Sequence, residues 1–179
     1  MALIKDNCVL AYVEGTIGKE IRIYRRNNQV IVAKARRKSN KKPTKNQVLA
    51  RQRMAEAAAY ARVMLKDPEL KAYYKSKAGP GQNAWNMAIK DAYRAPEVQE
   101  IQIKDTNVVV TAKDEFRVAE VAVKVLDGAG TILENGRAVL GRNGVDWYYK
   151  AGSLPAGGKV VISVVDLPGN ETRREIQLE

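Results

Sequence analysis

After Ala95-Pro96 the apolar residues of this chain stop recurring at helical spacing and recur at every second residue, as far as the C-terminus. This switch of period constrains the fold more than any other feature. Helices and strands bury differently spaced residue sets, so one kind of element cannot serve both halves. The chain is therefore read as a basic hairpin-and-helices domain over 1–95 and a β domain over 96–179. At 179 residues there is enough chain for two small domains.

In the second part the alternation predicts strands at 98–104, 107–112, 117–126, 131–140, 145–151, 159–166 and 171–178. The turn signals KDEF, DGAG, GRNG, LPAGG and LPGN separate them. Short antiparallel strands at this density predict a seven-stranded immunoglobulin-like β-sandwich. Trp147 and Tyr149 share one strand face, and Trp147 is the expected central core aromatic. Cys8 is the single cysteine, so an antibody-type disulfide is excluded. The overall class is α+β.

The first part opens on strand patterns. Residues 8–13, CVLAYV, predict a strand, and Gly15 and Gly18 punctuate the join to a hairpin over 19–36. Asn27-Asn28 supplies its two-residue turn, because Asn tolerates positive φ. Pairing Arg26 with Gln29 then sets Ile23 opposite Val32 and Arg25 opposite Val30. Arg22 and Arg26 project from the other face with Tyr24 between them. After the polar linker RKSNKKPTK, Thr44 and Gln47 have the capping-box spacing, and a helix follows with Ala50, Met54, Ala57, Ala61 and Met64 or Leu65 on one face. Asp67-Pro68 restarts the helix and AGPGQ at 78–82 breaks it. A last helix over 83–94 carries Trp85, Ala88, Ile89, Ala92 and Tyr93 as its expected buried stripe.

Charge follows the same division. Residues 1–95 hold 21 Lys and Arg against 7 Asp and Glu, and residues 96–179 hold 10 against 13. Arg22, Arg25, Arg26, Lys34, Arg36, Arg37, Lys38, Lys41, Lys42 and Lys45 form one dense segment, which Arg51, Arg53 and Arg62 continue along the helix. Such a segment suits a polyanion, and nucleic-acid backbone first. The hairpin is narrow enough to enter a major groove as a β-ribbon. Tyr24 is the single exposed aromatic there, which favours backbone contact over base stacking. The same charge also suits anionic lipid, RNA, an acidic protein surface or plain solubility.

Other chemistry is sparse. The chain has no His, so the usual neutral-pH general base is missing, and Cys/His zinc sites are excluded. Cys8 lies in an apolar strand pattern, which marks a buried thiol rather than a nucleophile. Asp114, Glu115 and Asp127 fall in predicted turns and read as turn chemistry. Asp166, Asn170 and Glu171 offer oxygen ligands, but without EF-hand spacing they read as a solvated turn around Pro168-Gly169. No enzyme, cofactor or metal is implied. No apolar run reaches the roughly 20 residues of a membrane span. Lys5, Asp6 and Asn7 stand where a signal peptide needs apolar residues, so a cytoplasmic location is expected.

The stretch from Gly15 to Ala61 resembles the start of a family of small uncharacterised bacterial proteins. The matching positions are Gly15, Ile17 and Gly18, then Lys42, Pro43, Thr44 and Gln47, then Tyr60, Ala61, Asp67, Pro68 and Tyr73 or Tyr74. The second half is similar to the immunoglobulin-like or fibronectin-like module that often follows in such proteins. The resemblance implies the two-part architecture and assigns no activity.

Two functions are expected from these residues. One is a non-enzymatic binding protein whose basic half grips nucleic acid, with the sandwich contacting protein. The other is a self-assembling subunit, forming a homo-oligomer or polymer through charge-complementary halves and β-strand addition.

Overall fold

The computed structural model describes residues 2–4, 10, 12–26, 28–36 and 40–178. It forms two compact units, Met1–Gln47 and Val48–Glu179.

The first unit is one antiparallel sheet. Its strands are β1 (Ala2–Ile4), β2 (Gly15–Ile17), β3 (Ile21–Arg26) and β4 (Gln29–Lys34), in the order β1-β4-β3-β2. The β3–β4 hairpin has the expected register: Arg26 pairs with Gln29, Arg25 with Val30 and Ile23 with Val32. Asn28 has φ 61°, as a two-residue turn requires. A second tight turn joins β2 to β3, with Gly18 at φ 59° and Lys19 at φ 60°, closed by the Glu20 amide donating to the Ile17 carbonyl. The strand expected over 8–13 does not form at its described residues, Leu10, Tyr12 and Val13. Cys8 and the rest of that stretch lie outside the described residues. The flanking strands are β1 and β2 instead.

The second unit holds almost all of helix α1 (Lys45–Met64), then α2 (Pro68–Ser76), α3 (Ala84–Tyr93) and the remaining strands. The helix starts follow the sequence signals. The Thr44 amide donates to Gln47 Oε1 and the Gln47 amide to Thr44 Oγ1, a complete capping box. Asp67 caps α2 by accepting from the Glu69 amide, with Pro68 at the first helical position. Asn83 caps α3.

Eight strands follow: β5 (Glu97–Lys104), β6 (Asn107–Lys113), β7 (Val118–Leu126), β8 (Ile132–Arg137), β9 (Val139–Leu140), β10 (Asp146–Lys150), β11 (Lys159–Asp166) and β12 (Glu171–Gln177). They form two antiparallel four-stranded sheets, β5-β6-β10-β9 and β12-β11-β7-β8. Valines and isoleucines at alternate positions of β6, β7 and β11 meet Trp147 in one shared core. The expected seventh-strand count fails at 131–140. There the chain pairs with β7 as far as Arg137, then leaves at buried Ala138 and pairs with β10 in the other sheet. One continuous alternation thus covers two strands.

The break between units falls after Gln47, whereas the period switch falls at Ala95-Pro96. The reason is packing. Phe116, from the loop before β7, lies edge-on to Tyr74 of α2 and joins the helical core. Asn170 Nδ2 donates to the carbonyls of Asp91 and Arg94. Pro96 is buried, and its carbonyl accepts from Thr172 Oγ1. The change of element type does not coincide with the division into compact units.

The helix stripes also shift. On α3 the buried residues are Met87, Ala88 and Asp91, while Trp85 and Tyr93 are exposed. On α1 only Ala57 and Ala61 of the expected face are buried, and Ala50 and Met54 are exposed.

Candidate polyanion interface and a buried carboxylate cluster

Charge concentrates in the first unit once its boundary is known. Residues 1–47 carry 12 Lys and Arg against 3 Asp and Glu, and residues 48–179 carry 19 against 17. The sheet distributes these cations on two faces. Cross-strand partners share a face, so Arg22, Tyr24 and Arg26 lie with Ala33, Ile31 and Gln29. Arg25 and Lys34 lie on the opposite face with Ile21, Ile23, Val30 and Val32. The Arg22 guanidinium stands 5.9 Å from the centre of the Tyr24 ring, within cation–π range. Arg25 stands 5.9 Å from the Tyr12 ring and 3.6 Å from Glu14. Tyr24 is half-buried rather than exposed.

The other predicted cations are scattered. Arg36, Lys41 and Lys42 are exposed in the segment after β4, and Lys45 is exposed in the first turn of α1. Arg51 and Arg53 are exposed on α1 but belong to the second unit. Arg37 and Lys38 lie outside the described residues. Within the described first unit the cations lie on both faces of the sheet and in the segment that follows it. The hairpin is the inner pair of a four-stranded sheet, with β1 beside β4 and β2 beside β3.

A second group of chemistry-bearing residues comes together in the second unit. Asp91, Asp114 and Asp166 each place a carboxylate oxygen within 4.8 Å of the others. Three elements deliver them: α3, the loop between β6 and β7, and the end of β11. Asp91 is 1% exposed and Asp166 2%. Asp114 is half-buried, its Oδ1 accepting from the amides of Phe116 and Arg117. Asp166 accepts from the Asn170 amide at 2.6 Å and from Asn170 Nδ2 at 2.7 Å. Tyr74 donates to Asp91 Oδ2 at 2.5 Å.

Burial pushes Asp91 up to about 7. The Tyr74 hydrogen bond opposes that rise, and Asp114, Asp166 and Glu115 add to it. Asp166 is raised by burial as well, against the hydrogen bonds from Asn170. Tyr74 is raised by burial and by its bonds to Asp91 and Tyr60.

The cluster corrects two readings. The 166–171 turn is not a solvated one, because Asp166 points inward, and Glu171 turns away to bond Ser163 and Arg173. Asp114 does perform turn chemistry, but it also faces two buried acids. Asp127 acts in its turn as expected, accepting from the amides of Ala129 and Thr131. A signal for Asp166 was present. Val160, Ile162 and Val164 alternate inward along β11, and residue 166 is the next inward position.

No family model and no curated protein matches the chain. Three solved structures show a distant likeness. A carbohydrate-binding module of family 56, a β-1,3-glucan binding domain, is similar over 44% of this chain and 95% of its own, at 15% identity and TM-score 0.33. An engineered protein is similar over 57% of this chain and 31% of its own, at 13% identity and TM-score 0.35. A β-glucuronidase from Ruminococcus gnavus is similar over 46% and 15%, at 19% identity and TM-score 0.24. Likeness at this level transfers neither a fold assignment nor an activity.

Proposed function

We propose that the protein is a non-enzymatic binding protein whose first unit holds the backbone of a nucleic acid or a similar polyanion. The observation that carries this reading is the face of β3. Arg22 and Arg26 flank Tyr24 there, both are exposed, and neither has an acidic partner among the described residues. Arginine forks suit phosphate oxygens, and such contacts release counterions. Lys45 adds to the reading. The first turn of a helix disfavours a cation and favours an anion, so a lysine there is better placed with phosphate nearby.

In this reading the two-sheet part is an immunoglobulin-type module that contacts protein. Its strand order supports the assignment: β5-β6-β10-β9 corresponds to A-B-E-D, and β12-β11-β7 to G-F-C with β8 beside C. A cytoplasmic location belongs to the same proposal. Among the described residues no helix is long and apolar enough to cross a membrane.

The test is fluorescence anisotropy of the full chain with duplex DNA and with RNA over a salt series. Binding that weakens steeply with salt, and that Arg22→Gln with Arg26→Gln reduces, supports the reading. Absence of binding at low salt, or binding unchanged in that variant, overturns it. A fragment ending at residue 95 is unsuitable, because it severs the contacts of Asn170 with Asp91 and Arg94.

Self-assembly is the second reading, and edge strand β9 favours it. It pairs with β10 alone, and Val139 is 72% exposed on it beside exposed Leu140 and Tyr148. An open apolar edge is a template for a strand from another chain. Light scattering of the parent against Val139→Lys decides this reading, which requires a larger species that the lysine dissolves.

A further inference from the structure

We propose that Asp91, Asp114 and Asp166 form a binding site for a hard divalent cation of calcium's class. An acidic cluster alone would not carry this. The second observation is unsatisfied polar atoms. Among the described residues, two buried side-chain polar atoms lack a hydrogen-bond partner, Asp91 Oδ1 and the Tyr73 hydroxyl. Both belong to this corner of the fold. Asp91 is a member of the cluster, and the charges of Asp91 and Asp114 act on the Tyr73 hydroxyl. Buried polar atoms are almost always paired, so an orphaned oxygen on a carboxylate that belongs to a cluster of three marks a missing positive partner.

Among the described residues no cationic side chain supplies that partner. Among the described residues none of the three acids is in an ion pair; Lys90 and Arg94 are engaged with Glu115 instead. The strongest charges acting on Asp91 are the carboxylates of Asp114, Asp166 and Glu115.

Two of the three candidate ligands are held in place by neutral donors. Asp114 is fixed by two backbone amides, and Asp166 by the Asn170 amide and side chain. Tyr74 orients Asp91 through Oδ2 and leaves Oδ1 open. This is the support that metal carboxylates require from their surroundings.

The ligand chemistry selects the ion. All donors are oxygens, which excludes soft-metal preferences. The three carboxylate oxygens lie within 4.8 Å of one another, so one cation at calcium–oxygen distances of about 2.3–2.6 Å can reach all of them. A cleft of about 460 Å³ is lined by Tyr60 and Asn170, two side chains bonded to members of the cluster network.

The test uses the full chain after EDTA treatment. Calcium chloride is titrated while the melting temperature is followed, and terbium luminescence is excited through tyrosine, since Tyr60, Tyr73 and Tyr74 surround the site. The expected result is a rise in melting temperature with calcium and sensitised terbium emission that calcium displaces. Asp114→Asn should weaken both by about tenfold or more. Asp114 is the primary variant because it is half-buried and its turn bonds are retained by Asn; Asp91→Asn is the second.

The proposal is overturned if millimolar calcium leaves the melting temperature unchanged and terbium emission is absent. It is equally overturned if terbium binds the parent and Asp114→Asn alike, which would place the ion at some other acidic group. A chelated parent that does not respond to calcium but is stabilised by Asp91→Asn would show a proton-sharing cluster, and that also overturns it.

Discussion

The Tyr74 hydroxyl donates to Asp91 Oδ2 at 2.5 Å and lies 3.0 Å from the Tyr60 hydroxyl. A phenol has one proton, so Tyr60 must be the donor to Tyr74. One oxygen on α2 therefore links α1 and α3. Ala61 of α1 and Ala88 of α3 are buried with Tyr74 in the same core.

Tyr74→Phe should destabilise the protein by about 2–3 kcal/mol, because it leaves a buried carboxylate oxygen and a phenol without partners. Tyr60→Phe should cost less, since Tyr60 is half-buried and Asp91 keeps its donor. Urea unfolding with an unchanged denaturant slope checks both.

Stability of the chelated protein should fall as pH rises from about 4 to 7. Asp91 is raised to about 7 by burial, while an unfolded Asp titrates near its ordinary value of 3.8. In that window the folded state holds the proton and the unfolded state has released it, so raising pH favours unfolding. The size is of the order of 2–4 kcal/mol. Asp91→Asn should flatten this dependence, and denaturation midpoints across the pH range measure it.

Asn170→Ala should destabilise by about 1–3 kcal/mol. Its Nδ2 is placed to donate to Asp166 Oδ2 and to the carbonyls of Asp91 and Arg94, so it ties the end of α3 to the β11–β12 turn. Amide exchange in residues 91–96 should rise in this variant.

Gly136→Ala should cost about 1–3 kcal/mol through overpacking. A Cβ at 136 would lie 2.6 Å from Tyr149 Cε2 and 3.0 Å from its hydroxyl. The ring would have to leave its 2.5 Å bond to Glu134. Burial, then that bond, hold the Tyr149 phenol up to about 12, so its ultraviolet titration should move toward the ordinary 10.

For polyanion binding, Arg22→Gln with Arg26→Gln should reduce the log–log salt slope by about 2 on duplex DNA, at about 0.9 per lost phosphate contact. Arg51→Gln with Arg53→Gln should leave the slope of the first unit's contacts in place. The salt series measures both.

Local features were legible along the chain. The β3–β4 register follows from Asn27-Asn28 and the alternation on either side. Thr44, Gln47, Asp67 and Pro68 mark helix starts through bonds to residues two or three away. Trp147 was recognisable as a core aromatic because β10 alternates. Each rests on neighbours in sequence. The α3 stripe was legible only in part, at buried Ala88 and at Ile89, which packs against the helical core. Choosing the most apolar face selected Trp85 and Tyr93, whereas the buried face carries Asp91, whose partner Tyr74 is 17 residues away.

Sequence by itself determined most of the elements, the β3–β4 register and the helix caps, because short-range sterics and hydrogen bonds act between near neighbours. Tertiary structure decided where the units divide, that the stretch 131–140 splits between two sheets, and that Asp91, Asp114 and Asp166 meet. Those outcomes depend on contacts such as Asn170 with Asp91, 79 residues apart, and no local period encodes a pairing across that distance.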